Sequence, residues 1–228
     1  MSKYDGRPDQ IVFITGMHRS GASFLAHALS LCGLDMGKNH DGSDWEDRDF
    51  VRMNDAILAE AGADWAHPKQ VKGDLYGDER EAFEMFTEKR IGFKDPRLCW
   101  TFPVWSLFWE DIQSVSVIAS IRHPAEVAAS LAESANIEEK DALKLWTDAY
   151  ALLQEYGTKF VSFPDMGGLK EAIEYVGLEW NPEVELSFRE ELVHHQEPDW
   201  NPDIEPDSLG LYEDIKEQIH GSTNTQHV

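Results

Sequence analysis

One junction near the start of the chain limits what it can fold into. Residues Gln10–Thr15 read QIVFIT, a short β-branched and aromatic run suited to a strand covered on both faces. The run passes directly into Gly16-Met17-His18-Arg19-Ser20-Gly21-Ala22-Ser23. Residues 22–32 then carry Phe24, Leu25, Ala28, Leu29 and Cys32 at helical spacing, with Gly33 as the stop. Glycines at 16 and 21 permit a tight turn whose backbone N–H groups converge, and the helix that follows adds its N-terminal partial positive charge. The junction therefore reads as an anion cradle, with the cation of Arg19 inside the turn.

The rest of the chain alternates in the same way. Strands are expected at 91–93, Ser114–Ile121 (SVSVIASI) and 158–163. Helices are expected at 50–61, 78–90, 101–112 with Pro103 in the first turn, 124–134 opened by Pro124, 138–156, and 165–176 stopped by Gly177. This alternation predicts an α/β fold: a P-loop-like three-layer sandwich around a central parallel sheet of about four to five strands. At 228 residues the chain is expected to form one domain. Its core spans about 10–180, and the acidic segment 181–228 wraps the domain, frayed after 221.

Composition narrows the partners. With 43 acidic and 20 basic residues the formal net charge is −23, which repels nucleic acid and anionic membranes. No apolar run reaches the roughly 20 residues needed to span a bilayer, so stable membrane insertion is not expected. Met1 to Gln10 is polar and unlike a signal peptide, so a cytoplasmic address is the default. Cys32 and Cys99 read as two buried free thiols. No metal site is expected. His194 and His195 are adjacent and diverge on any regular element, and the acidic cluster Asp41, Asp44, Glu46 and Asp47 lacks calcium-loop spacing.

The Gly16-x-x-x-x-Gly21 spacing matches a nucleoside triphosphate loop, but Ala22 stands where that loop needs Lys. Such a site is poorly equipped for Mg-dependent phosphoryl transfer. A second cation sits at the tip of the second clear strand, in Arg122-His123-Pro124, with Ser130 two helical turns on. Strand tips of this kind form the ligand edge of open α/β sheets, so Arg122 and Ser130 can converge on one anion there.

Taken together, these two stretches resemble the nucleotide-binding motifs of sulfotransferases that use 3′-phosphoadenosine-5′-phosphosulfate (PAPS), in particular the bacterial type. The resemblance covers roughly residues 10–180. It implies that Arg19 contacts the bridging and sulfate oxygens, and that Ser23 and the backbone of Ser20, Gly21 and Ala22 hold the 5′-phosphate. Gly16 shapes the turn, Phe24 lies near the adenine, and Arg122 with Ser130 holds the 3′-phosphate. Ala22 replaces a common Thr, and the C-terminal Arg-Lys-Gly motif of cytosolic members is absent.

Further matches are Gly42, Glu46-Asp47, Met53-Asn54-Asp55, Leu58 and Gly62 to Trp65, with one extra residue before Glu46, and Lys94-Asp95-Pro96-Arg97. Sulfuryl transfer needs charge stabilisation by Arg or Lys and a group to take the acceptor's proton. Glu46, Asp95 and His18 are the candidate bases, and Lys94 or Arg97 could contact sulfate or acceptor. Trp45, Trp65 and Trp100 are candidate walls of an acceptor cavity. The leading reading is a PAPS-dependent enzyme acting on a hydroxyl or amine of a small molecule, carbohydrate or lipid. The alternatives are a catalytically degenerate nucleotide-binding or interaction protein of the same fold, and a P-loop kinase.

Overall fold

The structure is a computed structural model that describes residues 8–40, 42–71, 89–107, 112, 114–188 and 206–222. Four strands, β1 (Gln10–Thr15), β2 (Arg90–Lys94), β3 (Ser114–Ile121) and β4 (Lys159–Ser162), form one sheet in the order β2-β1-β3-β4. Every pairing is parallel, with Gln10 opposite both Arg90 and Ser114, and Ile118 opposite Lys159.

Strand periodicity divides the core. Ile11 and Phe13 face one side of β1, and Val12 and Ile14 face the other. On the second side lie α1 (Ala22–Leu31), α6 (Met166–Tyr175) and the short α7 (Glu183–Ser187). On the first side lie α2 (Arg48–Glu60), α3 (Leu98–Trp105), α4 (Pro124–Ala135), α5 (Glu139–Glu155) and α8 (Pro206–Ser222). The result is the expected α/β sandwich with a four-stranded parallel core.

Three sequence expectations need correction. The helix expected from residue 101 begins at Leu98, so Pro103 lies inside α3 rather than in its first turn. Proline removes the N–H that would bond the Cys99 carbonyl. The Tyr156 hydroxyl donates to that oxygen instead, at 3.2 Å, and so makes the interior proline tolerable. The C-terminal region adds α7 and the 17-residue α8 beyond the last helix expected. Ile215 and Ile219 of α8 are buried in the core, and Ser208 shares a 2.7 Å hydrogen bond with Thr147 of α5. Cys32 is half-buried, whereas Cys99 is fully buried, and burial pushes its thiol up to about 12. The helix expected at 78–90 lies almost wholly outside the described residues.

Candidate functional site

The β1–α1 turn is tightly specified. Gly16 has φ +127, and a Cβ there would sit 2.4 Å from the Ser120 carbonyl oxygen. Gly21 has φ +94, and a Cβ there would strike the Phe163 ring at 2.5 Å. Only glycine satisfies both the backbone conformation and the close approach. From behind, the Tyr150 hydroxyl of α5 donates to Ser120 O at 2.5 Å, and Ser120 Oγ donates to Ser20 O at 2.7 Å. The loop is thus braced against the neighbouring strand and the helix beneath it.

Helix α1 starts without a side-chain cap and with no acidic residue in its first turn, which leaves its N-terminal charge open to a ligand. The turn opens into a cavity of about 380 Å³, large enough for a cofactor-sized ligand. Its walls include His18, Arg19, Ser23, Phe24, Lys94 and Arg122. Cations from the tips of β2 and β3 and from the β1–α1 loop therefore share one space.

Each cation is also held by the protein. Arg19, exposed and with φ +71, donates from Nε to Ser130 Oγ at 2.8 Å. Ser130, expected to share an anion with Arg122, is thus bonded to Arg19, and it is not among the residues that line the cavity. Arg122, only 5% exposed, donates from Nε to Glu126 at 2.5 Å. Lys94, 4% exposed, donates to Glu46 at 2.5 Å.

Glu46 also lines the cavity, and its presentation follows from its neighbour. Asp47 caps α2 by accepting from Asp49 N at 2.9 Å and Phe50 N at 3.4 Å, and it also accepts from Asn39 N at 3.2 Å. This fixes the loop leading into α2, and the helix starts at Arg48 rather than at residue 50.

Asp95 is not among the cavity-lining residues. It is fully buried, accepts from Asn54 Nδ2 at 2.9 Å and from Arg97 N at 2.9 Å, and pairs with the Arg97 guanidinium at 3.1 Å. Burial pushes its carboxyl up to about 6 against the pull of Arg97, with Glu46 adding to the rise. Arg97 in turn binds Asp55 at 2.6 Å and approaches Glu46 at 3.7 Å. The Met53-Asn54-Asp55 and Lys94-Asp95-Pro96-Arg97 stretches thus meet in one polar network that closes the end of β2.

His18 has a different character. Its Nε2 is buried with no hydrogen-bond partner, and its ring lies edge-on to Trp65 with centroids 5.0 Å apart. Burial, then the charges of Lys94, Arg97 and Arg19, bring its pKa down to about 3, so the ring is neutral near pH 7. Of the three tryptophans, Trp100 is core, Trp45 stacks on His27, and Trp65 borders a second cavity of about 630 Å³.

Phe163 was not singled out from sequence. It lines the first cavity beside Phe24, and its position just after β4, at the ligand edge of the sheet, is the signal that could have found it. His194 and His195 lie outside the described residues. Among the described residues no group of three or more His, Cys, Asp or Glu could hold a metal ion, and no helix is long and apolar enough to cross a membrane.

Fold and site together define a P-loop-like α/β protein whose first turn faces a cavity lined by cations. No protein-family model and no curated relative matches the chain. Among solved structures it is similar to the sulfotransferase domain of the olefin synthase from Synechococcus PCC 7002. The TM-score is 0.57 and the identity 15%, over 92% of this chain and 95% of that one. At that identity the likeness is one of fold, and the chain has a sulfotransferase-like fold.

Proposed function

We propose that the protein is a PAPS-dependent sulfotransferase acting on a hydroxyl or amine of a small molecule, carbohydrate or lipid. The observation that carries this reading is the shared cavity: Arg19, Lys94 and Arg122 converge on one space in a chain of net charge −23. In so acidic a chain an anionic ligand needs local positive charge, and these three cations supply it in one place.

The residues present fit such a ligand. The uncapped start of α1 and the backbone around Ser20 and Ser23 suit phosphate oxygens. Phe24 and Phe163, with ring centroids 6.2 Å apart, offer an aromatic surface to a base. When bound, PAPS supplies the activated sulfuryl group. Arg19 and Lys94 would stabilise negative charge, and Arg122 would hold the 3′-phosphate.

For the acceptor's proton the geometry favours His18 over the carboxylates. Glu46 is engaged by Lys94 and Arg97, and Asp95 is held inside the polar network, whereas His18 Nε2 is without a partner. Trp65 joins His18 to the second cavity, whose walls Pro68, Ile137 and Leu145 mix apolar surface with charged neighbours. We assign the acceptor to that side.

A thermal-shift titration tests the ligand. At a concentration one hundred times its Kd, 3′,5′-adenosine bisphosphate without Mg should stabilise the protein by about 2.7 kcal/mol. That corresponds to a rise in Tm of roughly 5–11 °C for a chain of this size. Stabilisation by ATP–Mg alone would instead point to a kinase. A labelled-sulfate screen over hydroxyl and amine acceptors then separates an active enzyme from a nucleotide-binding protein of the same fold.

Proton linkage tests His18. Burial is the largest cause of the low pKa and persists in the complex, but the share due to Lys94, Arg97 and Arg19 is partly neutralised by an anionic ligand, so binding should raise it. The bound state then holds more protons, and affinity should strengthen as pH falls from 7.5 toward the free-state value of about 3. The nucleotide's own phosphates titrate in that window, so the comparison is with His18→Asn. Calorimetry in buffers of different ionisation enthalpy should find proton uptake in the wild type that this variant lacks. Equal uptake in both proteins removes His18 from the role.

A further inference from the structure

Arg122 sits at the tip of β3 and would be the anchor for one end of the ligand, yet it already has a carboxylate partner. Glu126, one turn along on the first turn of α4, accepts from its Nε at 2.5 Å. The pair is largely withdrawn from water, Arg122 being 5% and Glu126 17% exposed. Screening there is weak, so the carboxylate cancels much of the guanidinium charge that a phosphate would meet. The start of α4 is also a favourable place for a negative charge, so the fold itself supports Glu126 in that position.

Resting on the reading above, we propose that Glu126 sets the affinity of the nucleotide site: its carboxylate competes with the ligand's phosphate for Arg122. A guanidinium has five N–H donors in a fixed fork, and two anions drawing on that fork repel one another. Binding therefore has to overcome a built-in counter-charge, and release is assisted by it.

Arg122 does not depend on Glu126 alone for its position. Its guanidinium lies over the Phe163 ring, 5.8 Å from the centroid, and the Trp146 indole N–H holds its backbone carbonyl at 3.2 Å. Glu126→Gln keeps the shape and an oxygen that can accept from Nε while removing the charge. If Glu126 merely orients Arg122, this variant binds phosphate no better than the wild type, and the truncation Glu126→Ala binds it worse. If Glu126 competes, both variants bind more tightly.

The experiment measures Kd for 3′,5′-adenosine bisphosphate, 5′-adenosine monophosphate and inorganic phosphate on wild type, Glu126→Gln and Glu126→Ala. We expect Glu126→Gln to tighten the bisphosphate about tenfold, mainly through a slower off-rate, with little change for the monophosphate. Unchanged or weaker bisphosphate and phosphate binding in both variants overturns the proposal. Bisphosphate binding to the wild type with no gain in the variants sinks the role of Glu126 alone. A gain for inorganic phosphate without any nucleotide binding supports the competition at Arg122 and sinks the nucleotide reading. No response to any ligand in any of the three proteins overturns both.

Discussion

Replacing Arg19 should reduce sulfuryl transfer by about 10²–10³-fold, the loss typical of removing one charge-stabilising donor from a reacting centre. The same position should also give different stabilities for two variants. Arg19 has φ +71, a conformation that an L-residue with a Cβ adopts at a cost of about 1–2 kcal/mol and glycine at almost none. Both Arg19→Ala and Arg19→Gly lose the bond to Ser130, so the difference between them isolates the backbone. Arg19→Gly should be the more stable by about 1 kcal/mol in urea unfolding. Both should fold, because the side chain is exposed. A strained backbone that glycine would relieve, kept with arginine, is what a functional demand on the side chain predicts. Transfer within a few-fold of wild type in either variant, or a glycine variant less stable than the alanine one, would contradict this.

The parts legible in the sequence were those specified by short-range chemistry. Strands β1 and β3 match their expected bounds because β-branched runs covered on both faces leave no other reading. Helix α4 opens at Pro124 because proline at the first helical position loses nothing. The first turn was legible from glycine spacing and the cation inside it. What failed depended on distant partners. Pro103 reads locally as part of a first helical turn, because no local pattern carries the Tyr156 hydroxyl that replaces its missing donor. Helix α8 has a readable stripe at Ser208, Leu211, Tyr212, Ile215 and Ile219, but acidic residues, proline and Gly210 around it obscured the period.

At the site, residue types were legible and their pairings were not. The spacing of Arg122 and Ser130 suggests one shared anion, and it carries no sign of the bonds from Arg19 to Ser130 and from Arg122 to Glu126. The exposed-looking acids divide in the same way. Glu46 reaches the cavity because Asp47 caps the next helix, whereas Asp95, one residue beyond Lys94, turns inward to meet Asn54 and Arg97. Lys94 is the last residue of β2, and Asp95 begins the turn into α3, where the Arg97 N–H and guanidinium hold its carboxylate away from the cavity.

Asn54→Ala should be the most damaging single substitution in the region that supports the site. The side chain is fully buried and makes three bonds: it donates to Asp95 at 2.9 Å and accepts from Thr101 Oγ1 at 2.6 Å and from Trp105 Nε1 at 2.8 Å. Thr101 has a second partner in the Arg97 carbonyl, so its loss is modest. The Trp105 indole N–H and one Asp95 oxygen are left buried without it, at about 1–3 kcal/mol for each such group. With the cavity added, the cost should reach about 3–5 kcal/mol, or roughly 6–20 °C in Tm.

The pH dependence identifies the cause. Asp95 has a folded pKa of about 6, above the ordinary carboxylate value of 3.8. Its proton therefore favours the folded state at low pH, and that contribution is lost as pH rises through about 6. The Asn54 N–H bond favours the ionised carboxylate and so limits the loss. Without it the folded pKa rises further, the loss continues to higher pH, and the penalty of Asn54→Ala should be larger at pH 8 than at pH 5. Urea unfolding of both proteins across that range checks it. A penalty that is flat with pH would mean that Asn54 acts only through packing. One below about 1 kcal/mol would mean that the polar network does not hold the β2 tip, and with it Lys94, in the cavity.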